Sequence, residues 1–217
     1  MRPFALLAAL SLGVAACAQS PSSAPSPTAT APSTSVNPAR IERVRTELPS
    51  GYEVAALPGR VAPVAFWGLG LDWTADPPRC GALADPVAGA TTTRGWSASG
   101  AGGIVYAVVA ASAATLDPAL LDECVQWTAS AAHTAGAVSV VTAPAIDGAA
   151  TVGLSTTTTT RVEGGTETHS HADTFTAYLR GYVAIVTVVT DPGSPNPALG
   201  QYFAAELLVK TVSALRG

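Results

Sequence analysis

Along the folded part of the chain, apolar and polar residues alternate in short runs closed by glycine, proline or aspartate, the mark of strands that show one face to a core. Tyr52 to Ala56, Val64 to Trp67, Thr92 to Ala98, Ile104 to Ala110 and Ala137 to Thr142 read as strands on this basis. The longest such stretch runs from Thr151 to Gly193. A two-residue turn at Gly164-Gly165 would pair Leu154 with Phe175 and Val152 with Ala177, apolar on apolar. The same register sets Thr160, Thr158 and Thr156 opposite His169, His171 and Asp173. A second turn at Arg180-Gly181 pairs Leu179 with Tyr182, Ala177 with Ala184 and Phe175 with Val186. Tyr182 to Val189 is apolar on both faces and is predicted to be central. Tight turns between consecutive strands predict a C-terminal three-stranded antiparallel meander and argue against alternating βα units.

The period changes to that of a helix in three places, each opened by a similar phrase: Asn37-Pro38-Ala39, Asp117-Pro118-Ala119 and Asn196-Pro197-Ala198. In each, an Asn or Asp can cap free amides while proline takes the first helical position, where its missing N–H costs nothing. The first helix is predicted to end near Glu47. The second, from Pro118 to about His133, carries Leu120, Cys124, Trp127 and Ala131 on one stripe. The third, from Pro197 to about Leu215, turns Leu199, Phe203, Leu207, Leu208, Thr211, Val212 and Leu215 toward a sheet. A shorter turn beginning at Asp76-Pro77-Pro78 carries Cys80. The predicted fold class is α+β: an antiparallel sheet of about five to seven strands, helices packed on one face, and one disulfide.

The N-terminus differs from all of this. Phe4 to Ala16 is a mostly apolar run behind Met1-Arg2, the length of a signal-peptide core and short of the roughly 20 residues that a spanning helix needs. It ends in "VAAC", which resembles a bacterial lipobox. That resemblance implies cleavage before Cys17 and acylation of Cys17, with two or three chains giving the firm anchorage that one chain does not. Residues 17–36 are almost wholly Ala, Ser, Thr and Pro, too poor in apolar bulk to offset ordering entropy, and read as an extended tether. The expected organisation is a signal peptide at 1–16, a lipidated tether at 17–36 and a single domain at 37–217. The chain is 48% hydrophobic with a formal net charge of −4, a balance that argues against nucleic acid and against electrostatic docking on anionic lipid. Apart from Cys17 the cysteines are Cys80 and Cys124. In an oxidising compartment they are expected to pair.

Candidate chemistry is sparse. His169, His171 and Asp173 alternate along one predicted strand and so share a face, which could furnish part of a metal or acid–base site or a polar hairpin tip beyond the core. No third acidic or sulfur ligand lies at close spacing, so the row is carried as a candidate ligand-binding set with no metal. "FWGLGLDWTADPPRC" places Trp67 and Trp73 in a glycine-rich loop around Asp72. Such aromatics can line a concave site with a few polar anchors, or can plug the core beneath an irregular segment. Trp96 and Trp127 look like core. There is no Gly-x-Ser-x-Gly elbow, "GAGG" at 100–103 precedes a strand and reads as a turn, and His133 is read as a cation at the end of the second helix. No enzyme signature and no cofactor motif are found.

The lipobox, the Ser/Thr/Pro tether, "ELPSGYEV", the Trp/Pro approach to a first cysteine in "PPRCGAL" and a second cysteine downstream resemble mycobacterial cell-envelope lipoproteins. Many of these carry a domain similar to the extracellular sensor domain of the PknH-type receptor kinase. The resemblance implies a mixed sheet-and-helix fold with a cleft and a small-ligand or envelope-binding role, although that sensor domain has two disulfides where this chain can make one. The expectation is a non-enzymatic lipoprotein on the outer face of the cell membrane, anchored through Cys17. Its domain would bind an apolar or amphipathic ligand, such as a lipid, or an envelope protein. The alternatives are an interaction module without a small-molecule cleft and, more remotely, an envelope hydrolase.

Overall fold

The computed structural model describes residues 35–59 and 61–217. Cys17, the signal segment and most of the tether lie outside them. The described chain is organised around one nine-stranded, wholly antiparallel sheet. In chain order the strands are β1 (Glu53–Ala56), β2 (Thr74–Asp76), β3 (Thr92–Gly100), β4 (Gly103–Ala111), β5 (Gln126–Ala131), β6 (Thr134–Val141), β7 (Ala150–Arg161), β8 (Glu167–Leu179) and β9 (Tyr182–Thr190). Across the sheet they run β1-β3-β4-β9-β8-β7-β6-β5-β2, so the five strands from β5 to β9 follow one another in space as they do in sequence. The edge strand β1 matches the expected Tyr52 to Ala56, and the sheet exceeds the five to seven strands expected because the other edge strand, β2, and β5 were not foreseen.

Both faces are covered, which corrects the expectation of helices on one face. Along β9, Ala184, Val186 and Val188 point into one core with Trp96, Phe175 and the buried side of the C-terminal helix α4 (Gln201–Arg216), while Val183 and Ile185 point into the other. The first core is closed by α4 and by a 3-10 helix at Pro38–Glu47, which contributes Ile41 and Val44. The second lies under three short helices, α1 (Pro63–Phe66), α2 (Gly81–Ala84) and α3 (Ala119–Glu123), with the Cys80–Cys124 disulfide among them. A strand apolar on both sides needs two covers, and that pattern was visible in Tyr182 to Val189.

Two proline phrases cap helices and one does not. Asn37 Oδ1 accepts from the Ala39 amide, and Asp117 Oδ1 from the Ala119 amide, both at 3.0 Å. At Asn196 the chain stays extended, because prolines at 192, 195 and 197 each disfavour helix in the residue before them. Leu199 N donates to Gly102 O at 2.9 Å, and helix α4 starts only after Gly200. The second helix stops at Glu123: Gln126 to Ala131 forms β5, with Trp127 and Ala129 buried and Gln126, Thr128 and Ser130 exposed. An i, i+4 stripe and a period of two overlap there, and sheet pairing decides. His133 consequently sits in the β5–β6 turn. Val64 to Trp67, expected as a strand, is α1 with Pro63 at its first turn.

The β8–β9 register is the predicted one, Leu179 opposite Tyr182 and Phe175 opposite Val186. The β7–β8 register is displaced by one residue. The connection is a three-residue loop, Glu163-Gly164-Gly165, with Val162 N donating to Thr166 O at 2.9 Å and both glycines at positive φ (90° and 80°). Phe175 therefore faces Gly153 rather than Leu154, and His169, His171 and Asp173 face Thr159, Thr157 and Ser155. The slip has a steric reason: a Cβ on Gly153 would stand 2.6 Å from Phe175 Cε1 and 3.0 Å from Val141 Cγ2. The ring fills the space that only glycine leaves. Gly153→Ala is expected to cost about 1–3 kcal/mol in urea unfolding; an unchanged midpoint would show that the ring can swing clear.

Candidate ligand-binding site

The residues singled out in the sequence fall on two sides of the sheet. Trp67, at the end of α1, is 1% exposed, and its Nε1 donates to Thr174 Oγ1 at 3.1 Å, with Thr174 in turn 3.0 Å from Thr187. Its ring lies 6.2 Å from that of Trp127. Trp73 is half-buried, and a Cβ on Gly81 would stand 3.1 Å from its ring edge. Both rings thus cover the core on the α1–α3 side. Asp72 between them is exposed.

His169, His171 and Asp173 project from the opposite side, since Asp173 and Thr174 are neighbours on β8 and must point to opposite faces. The tryptophan loop and the histidine row are therefore not parts of one site. Asp173 is 4% exposed, and its Oδ1 lies 3.1 Å from His171 Nε2. That hydrogen bond raises the His171 pKa above its ordinary value, against the opposing effect of partial burial. His169 is exposed, with Nδ1 3.1 Å from Thr159 Oγ1.

Asp72 does line a cleft of about 620 Å³ between the 68–72 loop, the β5–β6 turn (Ala131 to Thr134) and the end of β7 with the start of the β7–β8 loop (Thr160 to Glu163). Its volume falls within the range of about 300–1,000 Å³ typical of ligand pockets. Leu71 stands at its mouth 99% exposed and Val162 46% exposed, beside Asp72, His133, Arg161 and Glu163. Local geometry shapes both segments: Gly68 takes φ +83° and Ala132 φ +43°, backbone conformations that turn the chain sharply. Arg161 Nε donates to Glu167 Oε1 at 2.8 Å across the hairpin beside the cleft. Leu71, Val162 and His133 were not foreseen as site residues. The signal for Leu71 was present in "GLGLD", an apolar residue that a flanking glycine loop holds out of the core.

A smaller cavity of about 330 Å³ lies by the Gly100–Gly103 turn, and two of its polar side chains are spent on their own loop. Asp191 Oδ1 accepts from Gly193 N at 2.7 Å and Ser194 Oγ from Asn196 N at 3.2 Å. Another of about 400 Å³ is bordered by Tyr178, whose phenol burial pushes up to about 12, too high to release a proton near neutrality. No group of three or more His, Cys, Asp or Glu side chains among the described residues is placed to hold a metal ion.

The family model described as Domain of unknown function (DUF5642) matches residues 37–216. The chain belongs to the DUF5642 family. Among solved structures it is similar to an uncharacterised protein (Rv0999 ortholog) of Mycobacterium smegmatis, at 22% identity and TM-score 0.62, over 84% of this chain and 98% of that one. That likeness is one of fold. A second match is the extracellular domain of PknH from Mycobacterium tuberculosis, at 12% identity and TM-score 0.45, over 84% of this chain and 92% of that one. The kinase sensor domain that the sequence resembles is thus among the structural matches of this DUF5642 chain. No curated protein matches it. No helix among its described residues is long and apolar enough to cross a membrane.

Proposed function

We propose that this DUF5642 protein is a non-enzymatic lipoprotein, held on the outer face of the cell membrane by acylated Cys17, whose domain binds an amphipathic small molecule in the cleft between the 68–72 loop and the β5–β6 and β7–β8 turns. The observation that carries the reading is the pairing of two exposed apolar side chains, Leu71 and Val162, with Asp72, His133, Arg161 and Glu163 around one cleft of about 620 Å³. An aliphatic tail gains from covering Leu71 and Val162, at about 25 cal/mol per Å² of apolar surface removed from water, while the charged rim orients a polar head. The bridge between Cys80 and Cys124 supports an oxidising compartment, and "VAAC" supports the anchor.

Native mass spectrometry of the full chain extracted from its own membrane tests the cleft. A co-purifying amphipathic molecule is expected with the wild type and is lost in Leu71→Asp. Wild-type protein that emerges empty and also fails to take up added lipid would leave an interaction module as the better reading. The anchor is tested separately: Cys17→Ala should end labelling by radioactive fatty acid, and persistent labelling would refute acylation at that residue.

A further inference from the structure

Each histidine on β8 has one ring nitrogen tied to the protein and one left over. His171 Nε2 meets the Asp173 carboxylate at 3.1 Å. A carboxylate only accepts, so the proton sits on Nε2 and the neutral ring carries its lone pair on Nδ1. His169 Nδ1 is held at 3.1 Å by the Thr159 hydroxyl, which leaves Nε2. Residues two apart on a strand share a face, with Cα atoms about 6.6 Å apart. A histidine whose far nitrogen is hydrogen-bonded to a carboxylate is the usual arrangement of a protein ligand to a transition metal, because the bond fixes the tautomer, orients the ring and raises its basicity.

We propose that His169 and His171 form a two-imidazole chelate for a divalent transition-metal ion, with Asp173 orienting the His171 ring and Thr159 the His169 ring. Asp173 is suited to this role because it is 4% exposed and its Oδ1 already meets His171, so it serves as an anchor and not as a ligand. The next residue on the same face, Glu167, is engaged by Arg161 at 2.8 Å. With no third His, Cys, Asp or Glu placed to complete the set among the described residues, water or an external donor fills the remaining positions. The site is therefore open and exchangeable, unlike the closed four-ligand sites that hold structural zinc. Imidazole nitrogen suits copper, nickel and zinc, and the general order of affinities places Cu²⁺ ahead of Zn²⁺. The row stands on the sheet face opposite Thr160 and none of its residues lines the cleft, so it is independent of the function proposed above.

The test is calorimetric titration of the full chain, produced without a polyhistidine tag, with zinc chloride and with copper(II) chloride. One ion per chain is expected, copper binding more tightly than zinc. His169→Ala, an exposed change that spares the fold, should abolish stoichiometric binding, and so should His171→Ala. Asp173→Asn should weaken binding by about tenfold or more, while His133→Ala, the only other histidine in the chain, should leave it unchanged. Absence of stoichiometric binding by the wild type, retention of binding by His169→Ala, or its loss in His133→Ala would overturn the proposal.

Discussion

Reducing the Cys80–Cys124 bridge is expected to lower the melting temperature by about 10 °C. The bridge spans 44 residues of sequence, and loop closure of that length is worth about 4 kcal/mol in the unfolded chain, at roughly 2–4 °C per kcal/mol for a domain of this size. The loss should fall unevenly. Both cysteines are buried, and they join a 3-10 turn at Pro78–Cys80 to the end of α3. The cover they belong to consists of α1, α2 and α3, each of four or five residues, too short to hold themselves by propensity. Nearby, Arg79 donates to both carboxylate oxygens of Glu123 at 2.7 and 2.6 Å, but both side chains are exposed and such a pair adds little. Amide exchange after reduction should therefore rise first in residues 61–90 and 117–124, while α4 and β9 stay protected. A fall in melting temperature of under about 2 °C, or a loss of protection that begins in α4, would refute this division of labour.

How much was legible follows the physics of each segment. The pairing of Cys80 with Cys124 could be read because two cysteines in an oxidising compartment leave one partner each. The β8–β9 turn could be read because Arg180-Gly181 admits only one short register. The β7–β8 register could not, since the flanking run Thr156 to Thr160 looks alike in either alignment and the decision rests on the fit of Phe175 over Gly153. Likewise Gln126 to Ala131 satisfies both a helical stripe and a strand alternation, and only the presence of β6 beside it chooses. For the candidate site, the sequence named Asp72 and the histidine row, but the sheet keeps them apart: adjacent residues on β8 point to opposite faces, and distance across a sheet is invisible to spacing along a chain.

Trp67→Ala is expected to destabilise the domain by about 3–5 kcal/mol, the usual cost of emptying a buried indole site. The side chain is 1% exposed, lies against Trp127 and donates to Thr174. Thr174 keeps its contact with Thr187 in the variant, so most of the penalty comes from lost packing. Trp67→Phe separates the two contributions: it retains an aromatic body but removes the donor, and should cost less, about 1–2 kcal/mol. Guanidinium unfolding of the three proteins measures both differences. The outcome also decides what the residue is for. A Trp67→Ala protein within about 1 kcal/mol of wild type would mean that the ring is free to leave the core and could serve the neighbouring cleft. The expected large loss, with uptake of ligand by Trp67→Phe unchanged, makes Trp67 the support beneath the 68–72 loop, and leaves recognition to Leu71, Asp72 and Val162 above it.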